Sequence, residues 1–149
     1  MTKPNENGTR ALKLEHLNLV VTDIEPTLSF LQAAFPDWRV RGEGRDEWKG
    51  MPRRWLHIGD DDFYLTLNDF GRGRQRDLAS AEPGLAHIGF EVASLDELAA
   101  RLEKAGHQPH HLGAEHPHRK NLYYIDGEGL EFEFVEYLSN NPEERNSYV

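Results

Sequence analysis

Two histidines and one glutamate carry the clearest chemical signal in the sequence. His16 and His87 occupy the same position in two similar segments, EHLNLVV and AHIGFEV, and Glu133 lies in the strand-like run LEFEFVEY. Two imidazoles and one carboxylate can bind a divalent metal and leave coordination positions open for a substrate. Either histidine alone would more often be a hydrogen-bonded core residue, but their equivalent positions in a repeat favour a metal site.

Composition limits the other chemistry. The 149 residues include eight His and no Cys, which excludes thiolate metal sites, disulfides and cysteine nucleophiles. The net charge of −9 argues against binding to nucleic acid or to an anionic membrane surface. No stretch approaches the roughly 18 apolar residues of a membrane span. We therefore expect a soluble, cytoplasmic protein whose chemistry depends on His, carboxylates, Tyr or a metal that they bind.

The elements that position these residues follow from the repeat. Each histidine segment alternates like a strand and leads into a helical pattern, predicted from about Glu25 to Phe35 and from about Leu95 to Ala105. Thr22 or Asp23 can cap the first helix, and Ser94 can cap the second. Three strand-like runs follow each helix, at 38–44, 53–58 and 63–68 and then at 108–113, 121–125 and 130–137. The prediction is two βαβββ modules, 12–70 and 85–138, with a polar leader at 1–11, a linker at 71–84 and a polar tail at 139–149.

Alternation along the predicted strands places the three candidate ligands on polar faces. Leu17 and Leu19 share one face of the first strand, and His16 lies on the other. The same parity separates His87 and Glu133 from the apolar residues of their strands. Thr66 occupies the equivalent fourth position, where it would be a poor ligand, so water or substrate would complete the coordination.

The segments EHLNLVVTDI, LAHIGFEVASLDEL and YYIDGEGLEFEFVEY resemble the vicinal oxygen chelate superfamily of glyoxalases, bleomycin-resistance proteins, fosfomycin-resistance enzymes and type I extradiol dioxygenases. The resemblance implies an α+β fold in which two βαβββ modules form a cup-shaped mixed sheet with helices outside. It also implies a divalent metal ion (Fe²⁺, Mn²⁺, Zn²⁺ or Ni²⁺) on His16, His87 and Glu133, a small-molecule substrate and a homodimer. Thr66 departs from the Glu, Gln or His that glyoxalase-type members place there.

A second part of the resemblance concerns the dioxygenase fingerprint. The run from His116 through Tyr123 to Glu133 matches its spacing, except that Gly127 stands where Pro is expected and Ala114 departs two residues before the histidine. In that family the histidine and tyrosine lie beside the metal-bound catechol. The resemblance therefore implies that His116 is an acid/base and that Tyr123 donates a hydrogen bond to substrate.

The functional prediction is a metal-dependent enzyme of the glyoxalase/dioxygenase type that chelates or polarises a small oxygen-bearing substrate, with extradiol ring cleavage as one reaction. Two alternatives stay open: a metal-free sequestering protein like the bleomycin-resistance proteins, and a lyase or thiol transferase on the same triad. Substrate specificity is expected to lie in the cup lining and in loops at 42–52 and 69–84.

The other histidines and the linker arginines have simpler interpretations. His110, His111 and His118 are interpreted as solvated loop histidines, with adventitious metal binding as a further role, and His57 as a packing or edge residue. The arginines at 72, 74 and 76 are interpreted as part of a solvated linker, with a clamp for an anionic substrate as the alternative.

Overall fold

A computed structural model of the chain describes residues 12–148, which form two sheets and three helices. The predicted polar leader at 1–11 lies outside the described residues, as does residue 149. In chain order the elements are β1 (His16–Val20), α1 (Ile24–Ala34), β2 (Arg39–Trp48), β3 (Met51–Gly59), β4 (Tyr64–Asn68), β5 (Ile88–Glu91), α2 (Leu95–Lys104), β6 (His111–Leu112), β7 (Arg119–Ile125), β8 (Glu131–Tyr137) and α3 (Pro142–Arg145). No helix in this part of the chain combines the length and apolar character that crossing a bilayer requires.

The two sheets have the same topology. The first sheet has the strand order β1-β4-β3-β2 and the second has the order β5-β8-β7-β6. In each sheet the opening strand pairs in parallel with the closing strand, and the remaining pairs are antiparallel. The sheets are therefore mixed, and the prediction of two βαβββ modules in an α+β fold is confirmed.

Both long helices begin at the caps that the sequence predicts. The Asp23 carboxylate accepts a hydrogen bond from the backbone N–H of Glu25 at 3.0 Å. The Ser94 hydroxyl accepts one from the backbone N–H of Glu97 at 3.2 Å. Each cap satisfies a donor that the first turn of a helix leaves without a partner.

A single hydrophobic core joins the two modules. It contains buried side chains of both helices and of the apolar faces of both sheets, including Leu65 and Leu67 from the first sheet and Phe132 and Phe134 from the second. Phe30 of α1 is fully buried, and its ring centroid lies 5.1 Å from that of Phe132 in the other module. Because side chains alternate across a strand, the polar faces of both sheets point away from this shared core.

The region predicted as a loop at 42–52 is instead a long hairpin. Strand β2 continues to Trp48 and returns as β3 from Met51, so the turn consists of Lys49 and Gly50 alone. Both turn residues have positive φ, 49° and 79°, as a two-residue type I′ hairpin turn requires. Gly50 makes this turn possible, and the expectation of a loop at 42–52 is wrong, whereas the role of this segment in substrate specificity stays a prediction.

The sequence also predicts too long a strand at 108–113. Only His111 and Leu112 form the strand β6, and both are exposed. Pro109 and Gly113 flank this short pair, and the segment has no buried face that would extend the pairing with β7.

Candidate functional site

His87 and Glu133 meet on the polar face of the second sheet. His87 directly precedes β5, and Glu133 lies in the adjacent strand β8, opposite Gly89 in the register. The Nε2 atom of His87 lies 3.0 Å from Oε2 of Glu133. Asn121 of β7 donates from Nδ2 to the other carboxylate oxygen, Oε1, at 2.9 Å. The carboxylate is thus held from both sides, with one oxygen directed at the imidazole.

Gly89 lies next to this pair. A Cβ atom added at Gly89 would lie 3.8 Å from Oε2 of Glu133, an ordinary van der Waals contact.

Tyr123 lies beside the same pair. It is opposite Glu133 in the β7–β8 register, and its ring is 5.5 Å from that of His87 in an edge-to-face arrangement. Burial, together with the negative charge of Glu133, raises the pKa of the Tyr123 hydroxyl above its ordinary value. The phenol therefore remains a neutral hydrogen-bond donor at physiological pH.

Glu131 is a further carboxylate of this face that the sequence prediction missed. Its side chain is only 12% exposed, and Oε1 lies 3.5 Å from Nδ1 of His87. His87 therefore has one carboxylate at each ring nitrogen, Glu131 at Nδ1 and Glu133 at Nε2. The signal was available, because residues two apart in a strand share a face.

His16 lies on the polar face of the first sheet, among other groups. Its Nδ1 atom is 2.9 Å from a Glu15 carboxylate oxygen, and its ring stacks on Tyr64 with centroids 4.9 Å apart. Tyr64 also stacks on His57 at 4.5 Å, and the guanidinium of Arg41 lies over the Tyr64 ring at 4.4 Å. Burial is the main cause that lowers the pKa of His57, with the charge of Arg41 second. This face is a stack of rings with cationic neighbours.

The structure brings together two of the three predicted metal ligands. His87 and Glu133 are in contact, whereas His16 lies on the other sheet with Glu15 and Tyr64. Thr66, the residue in the fourth equivalent position, is buried on the first sheet opposite Asn18 and His57. Among residues 12–148, the group of three metal-capable side chains that converges consists of His110, His111 and Glu131.

His116 makes its hydrogen bonds to the end of the chain and to its own loop. Its Nε2 atom lies 3.0 Å from the carbonyl oxygen of Ser147, and its Nδ1 atom accepts from the backbone N–H of His118 at 3.1 Å. Because a carbonyl oxygen only accepts, Nε2 carries the proton. His116 also lines an open cavity of about 770 Å³ that includes Leu112, Lys120 and Asn121.

The donor set on the second sheet is suited to a divalent metal. The Nε2 atom of His87 and a carboxylate oxygen of Glu133 are ligands for metals from Mn²⁺ to Zn²⁺. The short distance between His87 Nε2 and Glu133 Oε2 shows that one small cation, a proton or a metal, can be shared there. His87 and Glu133 therefore fit a metal site, and they supply two of its ligands.

Comparison with known proteins identifies one family model that covers most of the chain. The family model described as Glyoxalase/Bleomycin resistance protein/Dioxygenase superfamily matches residues 13–134. No curated protein sequence matches the chain.

Several solved structures share the fold. A glyoxylase/bleomycin resistance protein/dioxygenase domain from Frankia sp. EAN1pec has 23% identity and a TM-score of 0.70, covering 91% of this chain and 98% of that one. A glyoxalase family protein from Bacillus cereus has 17% identity and a TM-score of 0.68, covering 88% and 97%. The fosfomycin resistance protein FosX from Listeria monocytogenes, complexed with Mn(II) and sulfate, has 21% identity and a TM-score of 0.60, covering 91% and 98%. At these identities the likeness shows the fold alone.

Proposed function

Because the chain belongs to the Glyoxalase/Bleomycin resistance protein/Dioxygenase superfamily, we propose that it is a metal-dependent enzyme acting on a small oxygen-bearing substrate. The observation that carries this proposal is the contact of His87 with Glu133 on the polar face of the second sheet. The proposed metal is a divalent ion, Fe²⁺, Mn²⁺, Zn²⁺ or Ni²⁺. Mn(II) is bound by the structurally similar fosfomycin resistance protein from Listeria monocytogenes.

We further propose that the site is completed by a second copy of the chain. The shared core turns the polar face with His16 and the polar face with His87 and Glu133 away from each other. In a homodimer, the first sheet of one copy can face the second sheet of the other. His16 of one copy would then join His87 and Glu133 of its partner, and two such sites would form by symmetry.

The polar residues around His87 on the second sheet each have a role in this proposal. When bound, the metal would polarise the substrate's oxygen atoms and leave positions open for them. Asn121 holds the Glu133 carboxylate in place, and the charge of Glu131, 3.5 Å from Nδ1, favours the His87 tautomer that leaves Nε2 free for the metal. Tyr123 donates a hydrogen bond to a substrate oxygen, and its raised pKa keeps that proton in place.

His116 is the proposed acid/base. Its Nε2 proton is donated to the Ser147 carbonyl oxygen, so transfer of this proton to substrate would require that hydrogen bond to be exchanged. Extradiol ring cleavage is the finer reaction that this assignment favours, because the spacing of His116 and Tyr123 matches the dioxygenase fingerprint.

Subunit mixing tests the proposed site directly. His16→Ala and Glu133→Ala should each abolish Mn²⁺ binding at a concentration that saturates the unaltered protein. Unfolding and refolding the two variants together should restore about a quarter of the sites, because about half of the dimers are mixed and each mixed dimer has one intact site. Electron paramagnetic resonance of bound Mn²⁺ measures the occupancy, and oxygen uptake with a panel of catechols measures ring cleavage.

His118→Gln is the matched control, because it removes a histidine that instead pairs with Glu144. It should leave binding unchanged. Two outcomes would contradict the proposal: no binding by the unaltered protein would favour a metal-free sequestering protein, and no recovery on mixing would mean that the site does not form between copies. Metal binding without oxygen uptake would favour the lyase or thiol-transferase alternative over ring cleavage.

A further inference from the structure

His110, His111 and Glu131 form a second cluster of metal-capable side chains on the second sheet. Their nearest ligand atoms all lie within 4.8 Å of one another. The Nε2 atom of His111 is 3.7 Å from Oε2 of Glu131. Glu131 directs its other oxygen, Oε1, toward His87, so the oxygen that faces His111 is separate from the proposed catalytic site.

The hydrogen bond made by the His111 ring leaves its other nitrogen facing Glu131. Its Nδ1 atom lies 3.1 Å from the backbone carbonyl oxygen of Leu112, which can only accept, so Nδ1 carries the proton. In the neutral ring, Nε2 then presents a lone pair toward the Glu131 carboxylate. Two acceptors facing each other are stabilised when a cation lies between them, and a hydrogen bond from Nδ1–H to a backbone carbonyl is the usual orientation of a metal-binding imidazole.

The cluster is held in place by the neighbouring strand. The His111 ring stacks on the ring of Tyr123 with centroids 4.0 Å apart and an angle of 15° between the planes. The backbone N–H of His110 donates to the carbonyl oxygen of Tyr123 at 2.7 Å. The ring of His110 lies 5.2 Å from that of His111, nearly perpendicular to it. Stacking on Tyr123 therefore orients the His111 ring before a metal binds, and strand pairing fixes the backbone of His110.

The surroundings leave room for further ligands. His110, His111 and Glu131 line an open cavity of about 580 Å³ that also contains Asp77 and Arg76. The Arg76 guanidinium is directed away to linker carbonyls, with Nε donating to Glu82 at 2.8 Å and a terminal nitrogen donating to Ser80 at 2.9 Å. Water can therefore complete a coordination sphere next to the three side chains.

We propose that His110, His111 and Glu131 bind a borderline divalent cation of the Zn²⁺, Ni²⁺ or Cu²⁺ class, at a site distinct from His16, His87 and Glu133. Two imidazoles and one carboxylate select these metals over Mg²⁺ and Ca²⁺, which prefer oxygen ligands. Glu131 has one carboxylate oxygen at this site and the other at His87 Nδ1, so it connects the two sites.

Zn²⁺ titration of the chelator-treated full-length protein tests the proposal. Because Zn²⁺ is also a candidate for the proposed catalytic site, calorimetry gives the total stoichiometry, and two-dimensional NMR of the imidazole nitrogens gives the affinity at His110 and His111. Zn²⁺ should shift the ring resonances of His110 and His111. The double variant His110→Gln/His111→Gln should weaken this binding about 100-fold or more, since even outer partners of a ligand are worth about 10- to 100-fold in metal affinity. His118→Gln should leave it unchanged.

Glu131→Gln distinguishes a specific three-ligand site from nonspecific binding by two exposed histidines. Loss of the carboxylate should weaken binding at least about tenfold. Unchanged affinity in this variant, or unshifted His110 and His111 resonances in the unaltered protein, would overturn the proposal. His16→Ala separates this result from the proposed catalytic site: it should leave the Zn²⁺ response of His110 and His111 intact even if the catalytic assignment fails.

Discussion

Replacing Phe30 with Ala tests the packing that turns the two polar faces apart. Phe30 belongs to a helix of the first module, yet its ring lies near four rings of the second module. The centroid distances are 5.0 Å to His107, 6.0 Å to Tyr124, 5.1 Å to Phe132 and 6.2 Å to Phe134. The side chain is fully buried. Phe30→Ala therefore removes a ring from the seam between the modules and leaves a cavity there.

The expected loss is about 3–5 kcal/mol in the free energy of unfolding. Full burial of such a side chain is worth about 1.5–3 kcal/mol, and favourable ring pairs add about 0.5–1.5 kcal/mol. The cavity term brings the sum into the range measured for Phe→Ala in protein cores. Urea unfolding at one fixed protein concentration, followed by circular dichroism and tryptophan fluorescence, measures the change. Both probes should report one transition, because the modules share a core.

Leu12→Ala is the control, since Leu12 is 86% exposed and the change should lie within about 0.5 kcal/mol. A loss below about 1 kcal/mol for Phe30→Ala would refute the reasoning. It would mean that α1 is not seated on the second sheet, and the inference that a single copy turns its two polar faces apart would fail with it.

Two further predictions concern buried or tethered titratable groups. Burial raises the folded-state pKa of Asp126 despite the hydrogen bond from Thr27. The protonated carboxyl therefore stabilises the fold fully below the pKa of the unfolded chain, about 4, and this contribution is lost as pH rises through the folded-state pKa. The free energy of unfolding of the unaltered protein, minus that of Asp126→Asn, should therefore fall as pH rises above about 4 in urea titrations, and a rise would contradict the assignment. His116→Ala removes the acceptor of the hydrogen bond from the His118 backbone N–H, a bond worth about 1 kcal/mol. NMR should therefore show about fivefold faster hydrogen exchange of the His118 amide. An unchanged exchange rate would show that the bond is not formed in solution.

The module architecture was predictable because its signals are local. Alternation with a period of two marked the buried faces, and Asp23 and Ser94 marked the helix starts. The predicted strand boundaries were wrong where pairing with a neighbouring strand decides how far a strand extends. Strand β2 runs on to the Lys49–Gly50 turn although its sequence is polar, and β6 shrinks to two exposed residues because nothing buries it.

The candidate site was predictable only within one sheet. The alternation of side chains along β8 puts Glu133 on the same polar face as His87, which directly precedes β5. The structure has the two side chains in contact. The location of His16 depends on how the two sheets pack, which no local pattern encodes. The same holds for His116, whose partner Ser147 lies 31 residues away.

The start of helix α1 depends on a carboxylate from the other module. Glu128 accepts hydrogen bonds from the backbone N–H of Thr22 at 2.8 Å and from that of Asp23, across a separation of more than 100 residues. A negative charge at this position also complements the positive end of the helix dipole. During synthesis, the first module leaves the ribosome before this carboxylate exists. Asp23 already caps the helix from within the first module, so what the second module adds is a tether on the residues just before it and the packing surface beneath it. The two halves of this repeat therefore depend on each other even though each resembles a complete unit.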